Sequence, residues 1–309
     1  MTLCTCDASD GSPQNLEARL SASHKELKLL CKDGLRYAPD GLMSLMVCPM
    51  KAADLGKCKA VSDGAKPIDV KELLSWHPAN VLWKVDATAA QDVPRVLAIT
   101  EKSLPSVDRK FIVGCLKGNE DTAQCTLTVT VKAKATWRTS RTVSCAYGKE
   151  SNGTPQSIIL TPAERSYTLV CGADGEIVPN NYKEVFCPVG TPSSDRDPRC
   201  YDRYAAVLPG YEKKWWHEGA NNSFTFAVPE DSFPDKEASI SVRCRKKQQN
   251  KDPAAPLVES AASVCSLSIK VEGVGRTRFM PNISAPRTVD RFGVASGGAF
   301  FLTSLAQIL

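Results

Sequence analysis

Thirteen cysteines among 309 residues fall into two consecutive sets of six, and the two sets keep nearly the same rhythm. The first is Cys6, Cys31, Cys48, Cys58, Cys115 and Cys125; the second is Cys145, Cys171, Cys187, Cys200, Cys244 and Cys265. Steps from first to second cysteine are 25 and 26 residues, from second to third 17 and 16, and from third to fourth 10 and 13. Cys4 stands outside the pattern. The chain offers only His24, His77 and His217 as histidine partners, so disulfides in an oxidising compartment account for the cysteines better than zinc. Six cysteines can pair in fifteen ways, and spacing alone does not choose among them.

The duplication reaches beyond the cysteines. Arg95–Cys115 (RVLAITEKSLPSVDRKFIVGC) lies over Phe224–Cys244 (FTFAVPEDSFPDKEASISVRC) without a gap, with Glu101/Glu230, Ser103/Ser232, Pro105/Pro234 and Val113/Val242 identical. CTLTVTVKA from Cys125 lies over CSLSIKVEG from Cys265, Met46–Pro49 (MVCP) echoes Val185–Pro188 (VFCP), and Trp76-His77 recurs as Trp216-His217. The chain therefore reads as two copies of one domain. Its length suits two domains of about 120–150 residues, and 42% hydrophobic content suffices for two cores.

Each copy reads as β. Cys125, Leu127, Val129 and Val131 alternate with Thr126, Thr128 and Thr130, and Cys265, Leu267, Ile269 and Val271 repeat the pattern, as expected of half-buried strands. Phe224, Phe226 and Val228, then Ile240, Val242 and Cys244, do the same. Pro105 and Pro234 are placed in a turn between paired strands, where a missing N–H costs nothing. Leu16–Leu30 and Asp69–Leu74 read as short helices. The expectation is all-β, with two tandem disulfide-bonded β-sandwiches. The boundaries are a first six-cysteine domain at 1–131, a polar linker at 132–144, a second domain at 145–275, and a stalk with a hydrophobic tail at 276–309.

The net charge is only +5 and spread over both halves, which excludes a nucleic-acid-style basic block and leaves a weak positive field suited to polyanionic surfaces. MTLCTCDASDGSPQ has neither the charged n-region nor the apolar h-region of a signal peptide; the start reads as one from which that peptide is missing. Phe292–Leu309 (FGVASGGAFFLTSLAQIL) carries no charge. Its glycines and serines weaken it as a membrane span, and it fits the removable tail of a GPI-anchor signal, with Asn282 or Ser284 as attachment points. The alternative is a buried or amphipathic C-terminal segment.

Two tandem six-cysteine domains, a third cysteine in an (F/V)CP setting, a proline turn, and a V-x-C strand closing on a C-x-L-x-(I/V)-x-V strand resemble the SRS surface-antigen superfamily of Toxoplasma-type coccidian parasites. The resemblance runs from Cys6 to Val271. It implies nested pairing: Cys6–Cys125, Cys31–Cys115 and Cys48–Cys58, then Cys145–Cys265, Cys171–Cys244 and Cys187–Cys200. It also implies a GPI-anchored antigen on the outer leaflet of the plasma membrane. Such an antigen would adhere to host sulfated proteoglycans or receptors through a basic groove on the first domain, formed across a homodimer, and would meet host antibodies.

Basic candidates for that groove are Lys25, Lys28 and Lys32, then Lys57, Lys59, Lys66 and Lys71. A second cluster, Arg243, Arg245, Lys246 and Lys247, lies in the other copy, with Arg243, Arg245 and Lys247 on one strand face opposite Cys244. Asn152, Asn221 and Asn282 head N-glycosylation sequons. No HExxH, GxSxG or Gly-rich phosphate loop occurs, and neither cofactor, metal nor nucleic acid is implied. Cys4 lies at an end expected to be floppy, free to replace Cys6 or to pair between chains. The Trp-His pairs read as a repeated structural turn. The reading is a non-enzymatic adhesin. Its alternatives are a coat or decoy antigen without a specific ligand and, remotely, a secreted Cys/His hydrolase.

Overall fold

The computed structural model describes residues 2–7, 9, 11–52, 54–59, 65–75, 81–85, 93–118, 121–190, 200–247 and 264–275. In the first copy the strands are β1 (Thr2–Cys6), β2 (Gln14–Leu20), β3 (Glu26–Cys31), β4 (Arg36–Ala38), β5 (Met46–Pro49), β6 (Ile68–Asp69), β7 (Trp83–Val85), β8 (Arg95–Ala98), β9 (Arg109–Leu116) and β10 (Ala123–Val131). In the second they are β11 (Trp137–Thr139), β12 (Thr142–Ser144), β13 (Gln156–Leu160), β14 (Ser166–Val170), β15 (Gly175–Val178), β16 (Val185–Phe186), β17 (Asp202–Arg203), β18 (Trp216–Gly219), β19 (Ser223–Ala227), β20 (Ala238–Lys246) and β21 (Val264–Val271). Otherwise only short 3₁₀ turns occur among the described residues.

One topology is used twice. The first sandwich packs a β1-β3-β8-β7 sheet on a β2-β10-β9-β5-β6 sheet; the second packs β11-β12-β14-β19-β18 on β13-β21-β20-β15. β1 runs parallel to β3 and β2 to β10, and β12/β14 and β13/β21 repeat both pairings. Period-2 patterning drives this. Cys125, Leu127, Val129 and Val131 point inward while Thr126, Thr128 and Thr130 face outward, and β21 matches them, because a one-residue slip would turn the apolar set to water.

Three expectations need correction. Leu16–Leu30 is not a helix: Ala18 and Leu20 on β2, then Leu27 and Leu29 on β3, are buried with exposed or half-buried residues between them, so the true period is two. The 69–74 segment does coil, as a 3₁₀ turn over Val70–Leu73. Pro105 and Pro234 do not lie between paired strands, since β8 and β9 belong to opposite sheets, as do β19 and β20; each proline lies in a crossover. Finally, the 132–144 stretch is not a bare linker. Trp137–Ser144 forms the β11–β12 hairpin on the edge of the second sandwich.

Two of the three disulfides in each copy pin the two sheets together, and the third closes a short loop. Cys6 joins Cys125, Cys31 joins Cys115 and Cys48 joins Cys58; Cys145 joins Cys265, Cys171 joins Cys244 and Cys187 joins Cys200. Cys6 is in register with Cys31 and Cys125 with Cys115, so two bridges stand side by side and staple one end of the sandwich. Cys244 and Cys265 are likewise in register. Cys4 belongs to this core and not to a loose end. It faces inward from β1 opposite Leu29, 6% exposed, where the second copy places buried Val143 opposite Leu169. It is a small apolar filler, and burial raises its thiol pKa.

The two cores are filled differently. The first relies on leucine and valine around Trp83 and Phe111. The second gathers Tyr167, Tyr182, Tyr204, Tyr211, Trp215, Trp216 and Phe226 into one aromatic cluster.

Met1–Gly275 forms one compact unit, and its two sandwiches are locked by a built joint. The first copy's crossover loop lies on the second copy. Val107 is 2% exposed within the second core, and the Ser106 carbonyl accepts the Tyr147 N–H at 2.6 Å. Asp174 accepts from the Ser106 hydroxyl and from Arg109 at 3.0 Å. Asp108 accepts the Ala133 N–H at 2.8 Å and lies 3.7 Å from the Lys132 amine.

Candidate functional site

The seven candidate lysines of the first copy do not converge. Lys25, Lys28 and Lys32 lie on or beside β3. Lys25 is 4.0 Å from Glu101, and Lys28 stands between Leu3 and Val96 in register. Lys32 adds its field to the Ser9 hydrogen bonds that hold the Asp7 carboxyl below its ordinary range. The other four belong to segments flanking β5 and β6 of the opposite sheet. Lys57 and Lys59 bracket Cys58, and Lys71 sits in the turn capped by Asp69.

Lys59 and Lys66 share a crevice, about 480 Å³, with Pro39, Asp40, Gly41, Met46, Cys58 and Pro67. The charge of Lys59 is answered locally. Asp121 takes Lys59 and also Arg36 at 3.2 Å, while Arg36 reaches Asp40. The Lys59 hydrogen bond above all keeps the Asp121 carboxyl ionised below the usual range.

The second basic cluster is dispersed as well. Arg243 is 3% exposed and lines a pocket with Ser241, Ser266 and Ser268, so it is no part of a solvated face. Arg245 is paired with Glu176 at 2.5 Å. Only Lys246 and Lys247 are exposed, and they do not face that pocket. They line a second crevice of about 440 Å³ between the two copies, with Pro49, Ile68, Leu73, Val107, Asp108, Arg109, Lys110, Ala173 and Asp174. Sequence reading missed this crevice because its walls come from loops of both copies. One signal was present in the aligned repeats: Val107 is apolar where the second copy has exposed Lys236.

Of the sequon asparagines, Asn152 has its amide engaged, donating to the Ala146 carbonyl at 2.9 Å and accepting from Thr136 at 2.7 Å. Asn221 is exposed at the tip of the β18–β19 hairpin, with φ +57°. Asn282, Ser284 and the 292–309 tail lie outside the described residues, as do Trp76 and His77. Trp216 is buried at the start of β18, opposite Phe226. Its counterpart by strand register is Trp83, which is buried opposite Leu97. The repeated element is therefore a core tryptophan on an edge strand, not a Trp-His turn, and Lys84 stands where the second copy has His217.

The SRS domain pattern matches residues 1–131 and again 141–271. The chain belongs to the SRS domain family. The bradyzoite-specific antigen BSR4 of Toxoplasma gondii is similar to it over 88% of this chain and 94% of that one, at 27% identity and a TM-score of 0.67. SporoSAG of the same organism (15% identity, 87% and 100% covered, TM-score 0.29) and Pf12p of Plasmodium falciparum (12%, 87% and 98%, 0.27) also match, at a level that carries no argument about function. No curated protein matches. SRS-domain proteins are Toxoplasma surface antigens.

Proposed function

We propose that this chain is a parasite surface antigen, held at the outer leaflet by a GPI anchor, that attaches to host cells through sulfated glycans. The observation that carries the reading is the doubled six-cysteine sandwich, alike to BSR4 over nearly the length of both chains. The anchor rests on the uncharged Phe292–Leu309 segment behind small residues. No catalytic role is proposed: the one free thiol is buried in an apolar core with its pKa raised, the opposite of what a nucleophile needs.

The test is adhesion of the full, disulfide-bonded chain to cultured host cells before and after enzymatic removal of sulfated glycosaminoglycans. Adhesion should fall several-fold and should weaken steeply with salt. Equal adhesion before and after treatment would sink the glycan reading. It would leave a coat antigen displayed to antibodies, a reading favoured by the local pairing of Lys59 with Asp121.

A further inference from the structure

The crevice between the two copies is one place where positive charge is left uncommitted. Its wall contains two acids, and both are held by the joint. Asp174 receives Arg109 and Ser106, and Asp108 receives Lys132 and the N–H groups of Ala133 and Lys149. Arg109 is thereby spent. Lys110 from β9, and Lys246 and Lys247 from the end of β20, are exposed on the same crevice, and among the described residues none makes an ion pair. The same crevice is lined by Pro49, Ile68 and Leu73, short apolar contributions from β5, β6 and the 3₁₀ turn at Val70–Leu73.

We propose that this inter-copy crevice binds a segment of sulfated polysaccharide, with Lys110, Lys246 and Lys247 meeting sulfates and the Pro49–Ile68–Leu73 wall receiving the face of a sugar ring. The proposal rests on the glycan reading above and locates its site in a different crevice from the one that holds Lys59 and Lys66. Three chemical features favour this occupant. Lysine is a flexible point charge that can follow anionic groups spaced along a chain, and the planar fork that would grip a single carboxylate, Arg109, is already used. An apolar wall beside the cations suits an amphipathic ring face better than a fully polar partner. Lastly, the cations come from both copies, so the site exists only while the joint holds them together.

The experiment uses the full disulfide-bonded chain and a defined heparin oligosaccharide, with affinity measured across a salt series. The comparison variants are Lys110→Gln/Lys246→Gln/Lys247→Gln and, separately, Lys59→Gln/Lys66→Gln. Surface lysine changes should leave unfolding unaltered, which circular dichroism checks. The crevice triple should weaken binding at least tenfold and reduce the slope of log K on log salt by roughly one per lysine removed, as for other polyanions. The Lys59/Lys66 pair should change it less than twofold. A wild-type chain that ignores heparin would sink both the glycan reading and this site. Wild-type binding lost in the Lys59/Lys66 variant, or unchanged in the crevice triple, would overturn the site alone. Displacement by polyglutamate as readily as by the oligosaccharide would replace the sugar with an acidic peptide and overturn it too.

Discussion

Val107→Ala should destabilise the second sandwich, although Val107 belongs to the sequence of the first. The side chain is 2% exposed within the second core, and its repeat counterpart, Lys236, is exposed. Removing two methyl groups forfeits about 1.6 kcal/mol of transfer free energy. An unrelaxed cavity of about 50 Å³ would add roughly 1 kcal/mol, and partial collapse of the loop brings the total to about 2 kcal/mol. That corresponds to about 30-fold faster exchange of amides that open with the second core. Hydrogen exchange read by mass spectrometry on the intact chain resolves the copies, because β20 and β21 report on one and β9 and β10 on the other. Lys236→Val is the control, expected within about 0.5 kcal/mol. If β9 and β10 lose protection while β20 and β21 keep it, the assignment of Val107 to the neighbouring core is wrong.

Cys4→Val should be nearly neutral, within about 1 kcal/mol, because Val143 fills the matching place; in the wild type, a thiol reagent should label Cys4 only as fast as the domain unfolds. Replacing Cys31 and Cys115 by alanine removes an inner ring made by the 25 steps from Cys6 to Cys31 and the 10 from Cys115 to Cys125, worth about 3.8 kcal/mol in the chain-entropy account. The matching ring in the second copy, 26 and 21 steps, gives about 4.0 kcal/mol, so denaturant titrations of the two double variants should show nearly equal losses. A negligible loss in either copy would refute the stacked-bridge picture. Burial raises the hydroxyl pKa of Tyr147, Tyr167, Tyr182, Tyr204 and Tyr211, the last to about 12. Unfolded tyrosine titrates near 10, so above about pH 10 the unfolded chain sheds protons that the folded one keeps, and stability falls with rising pH. All five belong to the second copy, which should melt first in alkali; phenolate absorbance exceeding that of two of the seven tyrosines before the second copy loses protection would contradict this.

The frame was legible in the sequence because it obeys local rules. Cys125–Val131 and Cys265–Val271 announce themselves by alternation, and the aligned cysteines mark the same strand ends in each copy. The period misled at Leu16–Leu30, where leucines on two successive strands fall by accident at helical spacings. The functional surface was far less legible, since its chemistry depends on partners remote in the chain. Lys59 meets Asp121 across 62 residues and Ser106 meets Asp174 across 68. A run of lysines cannot reveal which of its charges a distant carboxylate will answer. The tryptophan pairing failed for a related reason: Trp76-His77 matches Trp216-His217 by letters, but strand register places Trp83 against Leu97 as it places Trp216 against Phe226.

The same contrast explains how two copies of one frame come to differ in what they offer. Inward positions are constrained twice, by packing and by the paired bridges, so Val113/Val242 and Cys115/Cys244 stay identical. The outward position beside them is free to diverge. In the first copy it is Gly114, where any Cβ would lie 2.1 Å from the Cys125 carbonyl oxygen and 2.8 Å from Leu55; with no side chain there, Leu55 covers the sheet and forms a small third layer with Ala38, Cys48, Cys58 and Ile112. In the second copy the same position is Arg243 beside Ser241, and the sheet carries polar groups instead of an apolar lid. Each sandwich thus diverges on its outer face, and the crevice proposed for polyanions lies where loops and strand ends of the two meet. Lys110 stands over Ser239 in the repeat, so its charge is particular to the copy that forms the joint.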